Sequence, residues 1–217
     1  MSDPTVYPAT HASAALVLAH GAGAGQSHPF MVRVARALAA RRVVVMTFDF
    51  PYITARRRVP DKAPVLEEAW RQAIANARGR AESAGLPVFI GGKSMGGRIA
   101  SHVAAQGVEG VAGLVFLGYP LHPPGRPQQR RDAHLPSIAV PTLFVQGERD
   151  EFGSADEIRD LLPRLRARAE LHVVPGGDHS FSFRPKNAAS ASVLDDVAAV
   201  VAGWIGSILS VHQPPEP

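Results

Sequence analysis

The sequence predicts an α/β fold: a three-layer sandwich with a mostly parallel sheet of six strands, or seven if one further N-terminal strand is present. Three observations predict it. Short β-branched or aromatic apolar runs recur along the chain, nearly all bounded by Gly, Pro or a charge, as buried parallel strands are. Longer segments with helical periodicity separate them. Loops rich in glycine or proline follow several of the apolar runs.

The first run is Ala14–Ala19 (AALVLA), and a helix over 29–41 follows, opened by Ser27 or His28 before Pro29. Val43–Phe48 (VVVMTF) is the second strand, with an irregular stretch at 51–63 behind it. In the helix at 64–83, Leu66, Trp70, Ile74 and Ala77 recur at helical spacing while Glu67, Arg71 and Arg78 face elsewhere. Residues 88–90 form the third strand and 95–106 the next helix. Val111–Leu117 precedes a proline-rich stretch at 119–141, read as a short loop or lid. The last strands are 142–145 and 171–174, separated by a helix at 154–168 whose Ser154 and Glu157 have capping-box spacing. A helix at 189–210 closes the fold, and 212–217 reads as a flexible tail. Residues 1–211 are thus expected to form one domain.

Composition narrows the class. At 46% hydrophobic the chain is too apolar for disorder, and without cysteine it has neither disulfides nor a thiolate metal site. The net charge of +4 comes from 23 basic residues of which only Lys62, Lys93 and Lys186 are lysines, a usage that does not by itself point to nucleic acid. The first thirteen residues carry no basic cluster, so no secretory signal is expected. The uncharged run at 197–211 is shorter than the roughly 20 residues that span a bilayer and reads as a buried helix. These features lead us to expect a cytoplasmic protein with no nucleic-acid partner and no membrane span.

The chemistry gathers after the strands, at the edge where open α/β sheets bind ligands. Gly91-Gly92-Lys93-Ser94-Met95-Gly96-Gly97-Arg98 contains G-x-S-x-G between a strand and a helix. A nucleophile on so sharp a turn needs small neighbours two residues either side, and the turn leaves the next amide, that of Met95, at a helix N-terminus suited to an oxyanion. A base and its orienting carboxylate are then expected on later loops, in the order Ser, then Asp or Glu, then His that goes with such a strand–turn–helix serine. His179, in Gly176-Gly177-Asp178-His179-Ser180-Phe181, is the candidate base; Asp150 is its candidate orienter, with Glu148, Glu151 and Asp178 as competitors. The loop His20-Gly21-Ala22-Gly23-Ala24-Gly25 offers a second oxyanion donor at Ala22, or alternatively Gly23, and His20 is expected to brace it.

Three imitations fail. A P-loop would need glycine where Pro87 stands, a dinucleotide fingerprint would need it at Gln26, and no His-Glu-x-x-His cluster marks a metal. No cofactor and no metal are therefore expected.

With these residues, the chain resembles the α/β-hydrolase superfamily over residues 16–209. The segments 20–25, 48–52, 91–98, 118–123 and 176–181 are more narrowly similar to a small bacterial branch. That branch is akin to the hydrolase-like domain of the NSL-complex regulatory subunit and its testis-expressed relatives, and more distantly to dienelactone hydrolases. The resemblance implies Ser94, Asp150 and His179 as a triad, Ala22 and Met95 as oxyanion donors, and adjacency of the first and third predicted strands. Little chain precedes Leu16, so the superfamily's N-terminal hairpin is expected to be absent or reduced to one strand, with little or no cap domain. Dienelactone hydrolases typically use cysteine, which this chain lacks, so their substrate does not carry over.

The expected activity is hydrolysis of small or flexible carboxylic esters or thioesters through an acyl-enzyme. Lys93, Tyr52 and Arg56 are taken as candidate substrate contacts, with Lys93 and the arginines at 56–58 suggesting anionic substrates. The alternative is a catalytically silent interaction module on the same fold.

Overall fold

A parallel sheet organises the chain, and each strand owes its place to apolar residues on both of its faces. A computed structural model describes residues 3–183 and 189–211; the expected tail at 212–217 lies outside them. The strands are β1 (Thr5–Tyr7), β2 (Ala14–Ala19), β3 (Val43–Phe48), β4 (Val88–Lys93), β5 (Val111–Leu117), β6 (Thr142–Gly147) and β7 (Ala169–Val174). Their order is β1-β3-β2-β4-β5-β6-β7, with β1 antiparallel to β3 and every other pair parallel. β2 and β4 are therefore neighbours, with Ala19 opposite Gly92.

Strand alternation divides the core in two. Ala15, Val17 and Ala19 face one layer, where α3 (Ala63–Gly79) contributes Leu66, Trp70 and Ile74 and α4 (Met95–Ala105) contributes Ile99 and Val103. Ala14, Leu16 and Leu18 face the other, covered by α1 (Pro29–Ala39) through Met31, Val34 and Leu38, and by α6 (Ala189–Val211) through Val197, Val201, Trp204 and Ile208. By length and hydropathy Ser192–Val211 resembles a membrane span, yet this helix lays one face on the sheet.

Several boundaries differ from the sequence expectation. β1 is the single N-terminal strand, too short to show a period. The turn α2 (Pro51–Thr54) follows Phe50, where Pro51 occupies a first-turn position that needs no amide. The helix expected over 154–168 is α5 (Ala155–Leu161), because Pro163 turns the chain into a 3₁₀ segment at Leu162–Arg164. Its capping box at Ser154 and Glu157 is formed.

Between β5 and β6 the loop at 118–141 contains one 3₁₀ turn, Leu135–Ser137, and among the described residues there is no cap domain. The loop is pinned down onto α4 and α5. Leu121, Leu135 and Ile138 are buried, Tyr119 Oη donates to the Arg131 carbonyl at 2.7 Å, and His122 Nε2 lies 3.1 Å from Glu157 Oε1. His134 Nε2 lies 2.7 Å from Ser101 Oγ, and its ring meets that of His102 at 4.3 Å.

His134 makes this anchor pH-sensitive. Burial first, then the nearby His102 and Arg98, push it down to about 4. An unfolded histidine titrates near 6.5, so the unfolded chain binds this proton first as pH falls. The stabilisation is complete above pH ~6.5 and is lost toward about 4. Allowing for the ring's partial exposure, urea unfolding should show a loss of about 1–2 kcal/mol over that window. The loss should be smaller in His134→Gln.

Candidate active site

At the carboxyl edge, β2, β4 and the start of α4 approach more closely than side chains allow. A Cβ on Gly92 would stand 2.5 Å from the Ala19 carbonyl oxygen; one on Gly96 would stand 2.5 Å from that oxygen and 2.6 Å from that of His20. Trp70 Nε1 donates to the Gly96 carbonyl at 3.1 Å and fixes the helix start from below. Between these glycines Ser94 is forced to φ +51°, a region that costs a non-glycine residue about 1–2 kcal/mol. It occupies the N-cap of α4 without capping it, so its hydroxyl is left for another partner.

That partner is His179. Asp150, buried, accepts from His179 Nδ1 at 2.7 Å through Oδ2, which also accepts from Gln146 Nε2 at 2.9 Å. Its Oδ1 accepts from the Phe152 amide at 2.8 Å. With Nδ1 carrying the proton, Nε2 is the acceptor for the Ser94 hydroxyl, 2.8 Å away. Phe152 lies against the imidazole, ring centroids 4.2 Å apart. The competing carboxylates are turned elsewhere: Glu148 accepts from the Gly176 amide at 2.6 Å, and Asp178 accepts from the Ser180 and Ser182 amides. Glu151 is exposed.

The glycine loop lies beside the serine, and a Cβ on Gly21 would come within 3.5 Å of Ser94 Cβ. His20, fully buried, braces it: Nδ1 donates to the Gly21 carbonyl at 2.8 Å, and Nε2 accepts from the Phe50 amide at 3.2 Å. Burial holds this imidazole below its ordinary range, keeping it neutral. Ala22 lines a cleft of about 320 Å³ together with Ser94 and His179. His28, Phe30, Met31 and Phe152 give that cleft its largely apolar wall. The amide of Met95, at the first turn of α4, has no intrahelical acceptor.

The structure thus brings Ser94, His179, Asp150, Ala22 and Met95 together. It does not bring Tyr52 or Arg56 to the cleft wall. Tyr52 is fully buried behind the loop, its ring centroid 6.1 Å from that of His20, and Arg56 is exposed on the turn after α2. The Lys93 stem reaches the cleft lining, but its amine is enclosed. Gln146 and Phe152 were not singled out from sequence. A glutamine ending the apolar run of β6 was the available signal for the first; nothing local marks the second.

The profile of the alpha/beta hydrolase domain family matches residues 12–206. Among solved structures, a dienelactone hydrolase from Anabaena variabilis is 22% identical, covering 94% of this chain and 90% of that one at a TM-score of 0.75. Est1E from Butyrivibrio proteoclasticus, solved with ferulic acid bound, is 13% identical, with 96% and 95% covered and a TM-score of 0.76. A serine hydrolase homologue from Coxiella burnetii is 17% identical, with 92% and 89% covered and a TM-score of 0.72. At these identities the likeness is one of fold.

The close approach at Gly96 is testable against a glycine that has room. Gly96→Ala should lose about 1–3 kcal/mol or more in denaturant unfolding, because both obstructing atoms are backbone carbonyls. Gly206→Ala, exposed in α6 with no atom near its Cβ, should gain about 0.5–1 kcal/mol.

Proposed function

The chain belongs to the alpha/beta hydrolase domain family, and we propose that it is a serine hydrolase cleaving carboxylic esters or thioesters of small or flexible acyl groups. The observation that carries this reading is the continuous bonding from Asp150 through His179 to Ser94, ending on a hydroxyl that faces an apolar cleft. As Ser94 Oγ attacks the acyl carbonyl, its proton passes to His179 Nε2, and Asp150 stabilises the imidazolium so formed. The amides of Met95 and Ala22 receive the negative charge on the carbonyl oxygen. His179 then protonates the departing alkoxide or thiolate, and a water activated by the same base clears the acyl group from Ser94.

The substrate is a small-molecule ester or thioester, turned over in the cytoplasm without cofactor or metal and without nucleic-acid or membrane partners. Residues 1–211 act as one domain. The segment at 119–141 is a short loop folded against α4 and α5, which leaves the cleft open. The motifs at 91–98, 118–123 and 176–181 support a place in the small bacterial branch akin to the NSL-complex subunit's hydrolase-like domain. The ferulic acid bound in Est1E supports acyl substrates of modest size.

A panel of chromogenic esters and acyl thioesters, varied in chain length and charge, tests this. We expect turnover of short acyl groups by the wild type. Ser94→Ala and His179→Ala should each lose at least about a thousandfold in kcat, and Asp150→Asn about ten-thousandfold through the wrong imidazole tautomer. Folded protein that turns over none of the panel would favour a silent interaction module.

A further inference from the structure

Lys93 stands next to the nucleophile, and its charge has no assigned task. Strand alternation sends its side chain to the same face as Phe89, toward α1 and away from Trp70. There the amine is buried with no hydrogen-bond partner among the described residues, and the Phe30 ring lies 5.9 Å from it. Gly118, at φ +70°, stands beside both the amine and His179. A Cβ on Gly118 would stand 3.1 Å from Lys93 Nζ, 3.4 Å from His179 Nδ1 and 3.0 Å from the His179 carbonyl oxygen.

We infer that Lys93 is a positioning residue whose ammonium, one glycine away from His179, opposes the imidazolium and so sets how readily Ser94 is deprotonated. The inference rests on the serine-hydrolase reading. The groups facing the amine are Phe30 from α1, Gly118 after β5, Asp150 after β6, and Asp178 with His179 after β7. In the resting site the ammonium is attracted by the Asp150 and Asp178 carboxylates. When Ser94 attacks, its proton arrives on His179, and the imidazolium then faces the buried ammonium across Gly118, where like charges repel more strongly than in bulk water.

Burial pushes the Lys93 amine down to about 8, although Asp150 and Asp178 pull the other way. Below that pH the ammonium raises the barrier; above it the amine is neutral and the repulsion is gone. Reactivity of Ser94 should therefore rise through a second inflection near pH 8, by about 3- to 30-fold. Methionine imitates the neutral amine at every pH, and arginine the charged one.

The experiment measures the rate at which a fluorophosphonate labels Ser94, from mildly acidic to alkaline pH. In wild type the second inflection is expected. Lys93→Met should lie on the upper plateau already at neutral pH, and Lys93→Arg should stay on the lower one throughout. Because the chain has only three lysines, carbon-13 lysine labelling assigns the ionisation directly: the resonance missing in Lys93→Arg should titrate near pH 8 in wild type and lower in Asp150→Asn. Labelling with no inflection dependent on Lys93, or a Lys93 resonance titrating near the ordinary ~10.4, overturns the inference and leaves the hydrolase reading intact. No labelling at any pH overturns both.

Discussion

The contact of three backbones at Ala19, Gly92 and Gly96 is the constraint on which the rest of the site depends. A sheet edge and a helix start meet there at distances that admit no Cβ, and the turn between them has one way to go. It lifts Ser94 into a left-handed conformation, denies its hydroxyl the cap role and leaves the Met95 amide unpaired. Strand order supplies the rest: β2 beside β4 lays the glycine loop against the serine, while β6 and β7 deliver Asp150 and His179 from the same edge. The cost of the strained serine is met by burial in two core layers far from the chemistry.

How much of this was legible in the sequence depended on how local the requirement was. The strand–turn–helix around Ser94 was readable because its glycines answer a steric demand within a few residues. His179 was readable from its loop and order. Asp150 was ambiguous beside Glu148, Glu151 and Asp178, since all four lie on loops of the correct edge. What distinguishes them is direction: Gln146 and the Phe152 amide aim Asp150 at the imidazole, while turn amides occupy Glu148 and Asp178. Tyr52 and Arg56 show the same gap between position and orientation. Both lie near the glycine loop in sequence, yet one side chain turns into the core and the other into solvent. The expectation of Lys93 as a substrate contact rests on a strand that ends at residue 90; β4 in fact continues to Lys93, and its alternation turns that side chain toward α1.

Burial also sorts the ionisable groups by task. His20, Lys93 and His134 are each pushed toward neutrality chiefly by desolvation. His20 thereby becomes a fixed hydrogen-bonding brace, His134 an anchor for the loop at 119–141, and Lys93 a charge held close to the threshold of ionising. His179 differs from them in having a buried carboxylate on one nitrogen and a hydroxyl on the other. A proton can cross that pair with little rearrangement, which is what the proposed acyl transfer would ask of a base.

That this geometry makes Ser94 a nucleophile is read most directly from the mass of the protein quenched in acid shortly after mixing with p-nitrophenyl acetate. One acetyl group per chain is expected, mapped to the peptide containing Ser94 and formed together with a burst of p-nitrophenol. Folded protein that releases no burst, or that carries its acetyl group on another residue, would rule Ser94 out as the nucleophile.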